Sequence, residues 1–389
     1  MSHNAAIAAT LAPISYEESI FVTGESYFKA LMEEIACARK TIHLETYIFN
    51  HDDLGKQMVN VLSEAAKRGV KVRVLVDGCG TPQWGARLAR QLEKSGVETR
   101  VFHPFPWQLW NWSRSTIKSS LLLRWIYLFL NANVRNHRKI CLIDDHILYA
   151  GSMNISKTHL SVASGGQNWR DTGVRLVGDN FEQLKKALES AWFRKPLKER
   201  LKEAFKQVRR NPHIRLNYTR HRRRLLHKNL IRMMAKCRRR IWITNAYFIP
   251  DNVLLNTLRD AADSGVDVRI LLPNKSDVRM MPWASSAFYH HLLQAGVRIF
   301  EYLPSVLHAK SLILDEKSFV GSSNLNHRSL LHDLEIDILL TSEVSKKILE
   351  EQFLADLKNS REVYLDKWRL RHRRRRFLGR LALYLKYWI

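Results

Sequence analysis

Long apolar runs, cysteine and acidic residues are all scarce in this chain of 389 residues. No uncharged stretch approaches the ~20 apolar residues of a membrane-spanning helix, so we expect any membrane contact to be made at the surface. The four cysteines are scattered, with no Cys-x-x-Cys pair, which argues against a zinc site or a disulfide framework and favours a reducing compartment. The N-terminal segment has no basic residues before its short apolar run, so it does not read as a secretory signal.

The shortage of acid leaves the chain strongly basic. Lys and Arg total 63 against 37 Asp and Glu, which gives a net charge of +26. Such a surface should bind a polyanion, either nucleic acid or an anionic membrane. The hydrophobic content of 46% is ordinary for a folded protein, and the length predicts two or three domains.

An internal repeat of strand, helix and strand organises the sequence. In both copies a glycine separates the helix from the second strand, and AAKRGVKVRVLVDG in the first resembles AADSGVDVRILLPN in the second. The pattern predicts βαβ units with parallel strands. The predicted strand, helix and strand lie at 40–49, 54–69 and 71–78 in the first copy, and at 239–250, 252–265 and 266–274 in the second.

Each copy is followed by a second element, at 136–156 and at 307–326. Both read as two strands joined by a tight acidic turn, then a loop rich in Gly, Ser and Asn. We therefore predict an α/β protein of two pseudo-two-fold-related halves, each a mixed β-sheet flanked by helices, with a shared active site at their interface. The predicted boundaries are 1–205 for the first half, 206–366 for the second and 367–389 for a basic amphipathic tail.

The second element of each half carries the same motif, H-x-K-x4-D followed by G-S-x-N. Two copies at matching places of a repeat are not plausibly accidental. The motifs comprise His137, Lys139, Asp144, Gly151, Ser152 and Asn154 in the first half, and His308, Lys310, Asp315, Gly321, Ser322 and Asn324 in the second.

Side chains two apart on a strand share a face, so each histidine and its lysine should point the same way. Two imidazoles, two ammonium groups and two asparagines meeting at the interface can transfer a phosphoryl group without a metal. One histidine attacks phosphorus, the other moves protons, and the lysines with Asn154 and Asn324 stabilise the phosphoryl oxygens. The residues alone do not order the two histidines.

The double motif resembles the signature of the phospholipase D superfamily, over about residues 20 to 360. Within it the chain is most similar to the short bacterial cardiolipin synthases, through HLETYIFNHDDLGKQ, GVKVRVLVDG, NAYFIP, LHAK and GSSNLNHRSL. The longer members begin with two membrane-spanning helices, which we do not find in this sequence. The resemblance implies a phosphatidyltransferase without cofactor or metal, with His137 as nucleophile and His308 as acid and base.

The resemblance also implies substrates and a location. Phosphatidylglycerol is the expected anionic substrate, with phosphatidylethanolamine as an alternative donor, and the expected site of action is the cytoplasmic face of the bacterial inner membrane, with peripheral attachment. No nucleic acid is required, and the oligomeric state is left open.

Several further residues are assigned around the motifs. Family members carry a carboxylate that orients each histidine, and Asp171 and Glu335 lie at similar distances after the motifs; surface or structural carboxylates are the alternative. Glu45 either lines the site or forms a strand-end salt bridge. Asp144 and Asp315 belong to the catalytic motifs but are expected to bind local donors in the hairpin turns. Ser152 and Ser322 are expected to line the phosphate pocket.

Three segments have membrane-seeking composition. The insertion 103–134 contains four Trp and the run LLLRWIYLFL, and it is either a core helix or a helix in the membrane interface. The tail 367–389 has nine basic residues and no acid, and it either binds anionic lipid or is disordered. The connector 208–240 has thirteen basic residues and no acid; it is either a solvated helix or a phosphate-facing surface.

Three other functions compete with phosphatidyl transfer. A hydrolase would share the first half-reaction and release phosphatidic acid, and the sequence does not separate the two. A nuclease of the same superfamily would use the net charge on DNA or RNA, but no nucleic-acid-binding module is visible. A non-catalytic binding protein on the same fold is disfavoured because both motifs are intact.

Overall fold

Two β-sheets, one from each half of the sequence, form the framework of the molecule. The computed structural model describes residues 16–84, 87–117, 120–193 and 211–370. The predicted boundary between residues 205 and 206 and the tail beyond 370 lie outside these ranges. Within the described residues, the predicted mixed sheets flanked by helices are confirmed.

The first sheet has seven strands in the order β1-β7-β6-β5-β2-β3-β4, with β2, β3 and β4 parallel and the other pairs antiparallel. Two short 3-10 helices, Leu109–Arg114 and Lys157–His159, lie in its connections. The elements of this half are β1 (Glu17–Phe21), α1 (Gly24–Cys37), β2 (Thr41–Thr46), α2 (Asp53–Lys67), β3 (Lys71–Asp77), α3 (Leu88–Lys94), β4 (Glu98–Phe102), α4 (Leu121–Leu130), β5 (Ile140–Ile143), β6 (Ile147–Gly151), β7 (Gly173–Val177) and α5 (Glu182–Trp192).

The second sheet repeats this order as β8-β14-β13-β12-β9-β10-β11 and adds β15 beside β11. The internal repeat therefore extends to all seven strands of the first sheet. The elements of this half are β8 (Ile214–Leu216), α6 (Arg220–Ala235), β9 (Arg240–Thr244), α7 (Asn252–Asp263), β10 (Asp267–Pro273), α8 (Met281–Ser286), α9 (Tyr289–Gln294), β11 (Arg298–Tyr302), β12 (Ser311–Leu314), β13 (Lys317–Gly321), α10 (His327–Leu331), β14 (Ile336–Leu340), α11 (Glu343–Lys358), β15 (Ser360–Val363) and α12 (Leu365–Leu370).

The repeated helices begin and end by the same chemistry. Asp52 accepts a hydrogen bond from the Gly55 N–H at the start of α2, and Asp251 accepts one from the Leu254 N–H at the start of α7. Each bond satisfies an amide that has no partner within its helix. Both helices are followed by a glycine with positive φ, Gly69 at 92° and Gly265 at 87°, a conformation that glycine adopts without steric cost.

A shared apolar core joins the two sheets. Buried residues of β5, β6 and β7 meet those of β12, β13 and β14, among them Leu142, Leu148, Ile313, Val320 and Ile338. These strands read as nearly continuous apolar runs because both of their faces are covered. The union of the halves is therefore driven by burial of apolar surface, and the strand ends that carry the motifs come together at one edge of it.

The motif aspartate ties each hairpin turn to the neighbouring strand, β2 in the first half and β9 in the second. Asp144 and Asp315 have positive φ, 51° and 49°, and each carboxylate accepts three backbone N–H groups. The donors are Arg39, Lys40 and Thr41 for Asp144, at 2.8, 2.7 and 2.8 Å, and Arg238, Arg239 and Arg240 for Asp315, at 2.9, 3.0 and 2.9 Å. These aspartates fix the hairpin against the start of β2 or β9.

We predict that Asp315→Ala lowers the free energy of unfolding by about 1–2 kcal/mol at pH 7, because three amides lose a charged acceptor. Burial opposes ionisation of Asp315, but the three N–H donors more than offset it and place its pKa below the ordinary value. The stabilisation is therefore present above the pKa of the unfolded chain and is lost as pH falls through the folded pKa. Urea unfolding at pH 7 and at acidic pH measures this, with Asp263→Ala at the exposed end of α7 as control; an equal loss at both pH values would contradict it.

Candidate active site

The two motif histidines are held by backbone contacts that cross between the halves. The His137 N–H donates to the carbonyl of Leu334 at 3.0 Å, and the His308 N–H donates to the carbonyl of Arg170 at 2.9 Å. Residues 334 and 170 each precede a carboxylate, Glu335 or Asp171. The chain entering each motif thus runs beside the chain that carries the acidic residue of the other half.

Each imidazole is consequently oriented by a carboxylate from the opposite half. His137 Nδ1 lies 3.0 Å from Glu335 Oε1, and His308 Nδ1 lies 2.8 Å from Asp171 Oδ1. All four side chains are almost fully buried. Fixing Nδ1 in this way leaves Nε2 of each ring as the atom that can react. The sequence placed each carboxylate after the motif of its own half, and only the fold reveals that the partners are exchanged.

The two lysines stand beside these histidines. Lys139 Nζ donates to the carbonyl of His137 at 2.7 Å, and Lys310 Nζ donates to the carbonyl of His308. The Lys139 ammonium is 5.5 Å from the ring centre of Tyr47, and the Lys310 ammonium is 6.0 Å from that of Tyr247. Each lysine is therefore held by a carbonyl and an aromatic face, which leaves its remaining protons for a bound anion.

The tyrosines were not predicted, although their segments were. Tyr47 packs edge-on against His137 at 5.1 Å between ring centres, and Tyr247 against His308 at 6.4 Å. They follow β2 and β9 at matching places of the repeat, in LETYIF and NAYFIP. Aligning the two copies residue by residue would have identified both.

Burial and crowding of positive charge shift the pKa values of the basic groups downward. Burial, then the charges of Lys139 and Lys310, hold the pKa of His137 well below its usual range. Burial, then Lys310, lowers the pKa of Lys139 to about 7, and burial lowers that of Lys310 to about 8. Because several basic groups are crowded together here, the site favours a bound phosphodiester anion that neutralises them.

The two carboxylates are shifted in opposite directions. Burial raises the pKa of Glu335 to about 7, against the opposing effects of Lys139 and of hydroxyl donors. Burial also opposes the charge of Asp171, but His308 and His159 outweigh it and hold its pKa well below the ordinary value. Asp171 is accordingly ionised at neutral pH, whereas Glu335 is close to its midpoint.

The asparagines of the motifs lie at the site with different partners. Asn154 Oδ1 accepts from the Ile48 N–H at 3.1 Å. Asn324 Oδ1 is buried and has no hydrogen-bond partner among the described residues, which leaves this oxygen to accept a hydrogen bond from a bound group. Among the described residues, no group of three or more His, Cys, Asp or Glu side chains is arranged to hold a metal ion.

The comparisons with known proteins agree with this geometry. The chain matches the family model described as the phospholipase D-like domain of cardiolipin synthase over residues 31–207 and 230–357. It is 31% identical to the cardiolipin synthase of Clostridium perfringens, over 90% of this chain and 72% of that one. It is also 31% identical to that of Alkalihalophilus pseudofirmus, over 90% and 68%. The chain belongs to the cardiolipin synthase family.

Solved structures support the fold. Phosphatidylserine synthase from Haemophilus influenzae superposes with a TM-score of 0.66 at 10% identity, over 96% of this chain and 95% of that one. A polyphosphate kinase from Porphyromonas gingivalis gives a TM-score of 0.61 at 13% identity, over 90% and 49%. The predicted membership of the phospholipase D superfamily is confirmed by the family match.

Some predicted site residues lie elsewhere or do other work. Asp144 and Asp315 follow β5 and β12, whereas the histidines precede them, so these aspartates lie at the far end of the strands and are not part of the reacting group. The Ser152 hydroxyl exchanges hydrogen bonds with the backbone of Thr172 at 3.2 and 3.1 Å. The Ser322 hydroxyl donates to Glu335. Both hydroxyls thus bind protein groups, and a role of the two serines in the phosphate pocket stays a prediction.

Glu45 forms the salt bridge that was one of its two interpretations. Its Oε2 lies 2.9 Å from Arg138 Nη2 and accepts from Asn136 Nδ2 at 2.8 Å. Both partners flank His137 in the chain, so Glu45 fixes the backbone that carries the histidine and does not face the site.

We predict that kcat/KM for phospholipid turnover falls as pH decreases through about 7, because Glu335 takes up a proton and no longer supports His137. Glu335→Gln should abolish this acid limb and reduce the rate roughly a hundredfold or more. Asp171→Asn should slow turnover yet retain the limb, because the Asp171 pKa lies well below this range. Persistence of the limb in Glu335→Gln would assign it to another group.

Proposed function

We propose that this protein makes cardiolipin by transferring a phosphatidyl group from a donor phospholipid to a hydroxyl of phosphatidylglycerol. The observation that carries the proposal is the pair of imidazoles, each fixed at Nδ1 by a carboxylate of the opposite half, in a member of the cardiolipin synthase family. With phosphatidylglycerol as donor the leaving group is glycerol. Phosphatidylethanolamine as donor would release ethanolamine.

In the first half-reaction, Nε2 of one histidine attacks the donor phosphorus. A P–N bond forms, the P–O bond to the head-group alcohol breaks, and its electron pair stays on the alcohol oxygen, which takes a proton from the second imidazole. Lys139 and Lys310 stabilise charge on the non-bridging oxygens.

In the second half-reaction, the acceptor hydroxyl gives its proton to the second imidazole, which is now neutral, and its oxygen attacks phosphorus. The P–N bond breaks and its electron pair returns to the first histidine. The first histidine is free again, and the second has regained the proton that it gave to the leaving alcohol. If water takes the place of the lipid alcohol, the same site releases phosphatidic acid.

We assign attack to His137 and proton transfer to His308. An attacking imidazole must be neutral, and burial with two neighbouring lysines lowers the pKa of His137 well below its usual value. An acid must be protonated. Burial and then Lys310 also lower the pKa of His308, but Asp171 and Asp277 oppose that shift, so the pKa of His308 is lowered less than that of His137. The protonated form is therefore less disfavoured at His308 than at His137.

A membrane surface is the proposed location of the substrate. Of eighteen exposed large apolar side chains in the described residues, ten lie between Trp107 and Leu130. In α4 only Leu128 is buried, so its interpretation as a core helix is wrong. No helix among the described residues has the length and apolar character needed to cross a bilayer. An exposed apolar helix of ten residues is instead suited to the interface.

The position of α4 relative to the site supports this role. His137 lies seven positions after Leu130 in the chain, which keeps the helix end within about 25 Å of the proposed nucleophile. The Tyr127 hydroxyl contacts His103 Nε2 at 3.2 Å, and Arg135 Nη1 donates to the His103 carbonyl at 2.6 Å. The chain between α4 and the motif is therefore held firmly.

A helix with exposed basic side chains, α6, begins close to the site. Asn217 Oδ1 accepts from the Glu335 N–H at 2.5 Å, and α6 begins three residues later with exposed Arg220, Arg224 and Lys228. Cationic side chains at this place favour anionic lipid, in line with the phosphate-facing interpretation of the connector. The residues of the basic tail from 371 onward lie outside the described ranges.

The cytoplasmic face of the membrane is the proposed side. All four cysteines lie among the described residues and are free thiols, two of them, Cys141 and Cys237, buried. Reduced thiols persist in a reducing compartment, and anionic lipid on that face would attract the positive charge.

The function is tested with purified protein and phosphatidylglycerol vesicles, with and without phosphatidylethanolamine, by mass spectrometry of the lipids. We expect cardiolipin, and its loss by at least about a thousandfold in His137→Ala and His308→Ala. Turnover should persist in EDTA, because Lys139 and Lys310 supply the positive charge.

Circular dichroism of both variants is the control for folding. Phosphatidic acid as the sole product would identify a hydrolase, and degradation of added DNA without any lipid product would identify a nuclease. Either result would overturn the proposal.

We predict that Leu122→Glu combined with Phe129→Glu weakens binding to phosphatidylglycerol vesicles about tenfold or more, because two exposed apolar side chains can no longer enter the interface. Vesicle sedimentation measures binding, and turnover of a dispersed short-chain lipid should be unchanged. Val253→Glu and Val344→Glu alter exposed apolar residues elsewhere and are the matched control. Equal binding by both sets would exclude α4 as the attachment surface.

A further inference from the structure

A third buried histidine shares a carboxylate with His308. His159 is 2% exposed, and its Nδ1 lies 2.7 Å from Asp171 Oδ2. The other oxygen, Oδ1, faces His308 Nδ1 at 2.8 Å. Asp171 therefore lies between two imidazoles, and the reaction described above uses only one of them.

The backbone determines which nitrogen of His159 carries the proton. The Asn154 N–H donates to His159 Nε2 at 3.1 Å, so Nε2 is an acceptor and the ring proton lies on Nδ1. His159 thus donates to Asp171 without needing a charge of its own. The rings of Trp169 and Phe28 pack against the His159 ring, at 5.6 and 6.4 Å between ring centres.

The second half contains the same chain of contacts with a different residue in the middle. The Asn324 N–H donates to Ser329 Oγ at 2.9 Å, and the Ser329 hydroxyl donates to Glu335. Ser329 therefore occupies the place that His159 has in the first half. In each half, this series of hydrogen bonds runs from an asparagine amide, through one side chain, to the carboxylate that orients the histidine of the opposite half.

We propose that His159 is a positioning residue that keeps the charge of Asp171 directed at His308. We also propose that the difference between His159 and Ser329 gives His308 and His137 their different roles, proton transfer and attack on phosphorus. The inference rests on the two-histidine reaction proposed above. A carboxylate held by an imidazole N–H keeps its charge directed at His308, as a proton donor requires. A carboxylate held by small hydroxyls supports a neutral His137 as nucleophile.

The pKa values agree with this division. Burial opposes the charge of Asp171, yet His308 and His159 hold its pKa well below the ordinary value, whereas burial raises the pKa of Glu335 to about 7 despite the two serine donors. An ionised partner stabilises an imidazolium, and a partner near its midpoint does so less.

Two donor lipids separate proton donation from attack. A phosphatidyl ester of p-nitrophenol has a leaving group that departs without a proton, whereas the glycerol of phosphatidylglycerol needs one. Single-turnover experiments, with full-length enzyme in excess over donor in vesicles, report the first half-reaction for each donor. The rate constant for the nitrophenyl donor divided by the rate constant for phosphatidylglycerol therefore measures the contribution of the acid.

We expect His159→Leu to raise this ratio about a hundredfold, because glycerol release slows while nitrophenol release stays near the wild-type rate. His159→Asn, which keeps an N–H near the position of Nδ1, should restore most of the loss. Ser329→Ala is the matched control on the side of the nucleophile and should slow both donors equally. His159→Ser copies the second half and serves if His159→Leu does not fold.

The outcomes distinguish this inference from the function on which it rests. Equal slowing of both donors in the folded His159 variants, or no slowing of either, would overturn the positioning role while leaving cardiolipin synthesis intact. A wild-type enzyme that yields no phosphohistidine with the nitrophenyl donor would overturn the two-histidine reaction itself.

Discussion

The pairing of each motif histidine with a carboxylate from the opposite half is the contact on which the candidate site depends. His137 with Glu335 and His308 with Asp171 are joined only because the backbone entering each motif lies against the other half. Neither half contains a complete pair by itself. The apolar core between the sheets therefore does more than stabilise the protein, since any displacement of the halves would separate both imidazoles from the groups that fix their tautomers.

Burial gives this arrangement its chemical character. The same low-polarity surroundings lower the pKa of His137 and the two lysines and raise that of Glu335. A bound phosphodiester would supply the negative charge that balances the two lysines, so the substrate and the site would neutralise each other. The exposed apolar helix α4 lies outside this buried region but close to it in the chain. In the function proposed here, reaction and membrane attachment are separated in space while sharing one connecting segment.

Sequence reasoning succeeded where a short pattern determines a position. The βαβ units and hairpins followed from periodicity and glycine, and the motif residues His137 and His308 followed from duplication. It failed where function depends on which atom faces which. The motif does not indicate that the hydroxyls of Ser152 and Ser322 bind protein groups. Tyr47 and Tyr247 pack against the motif histidines, and His159 contacts Asp171, but none of the three belongs to the motif. Hydroxyl and ring orientations are set by neighbours distant in sequence, and no local pattern records those neighbours.

By itself, the sequence determined the two repeated halves, the residue types of the site and the excess of positive charge, because composition or residue spacing alone indicates each of them. The tertiary structure decided the exchange of Asp171 and Glu335 between the halves and the exposure of α4. Partner choice depends on how two sheets pack, and exposure depends on what else covers a helix. Both are properties of the packed whole, since a residue 198 positions from His137 can become its nearest acid only after the halves have joined.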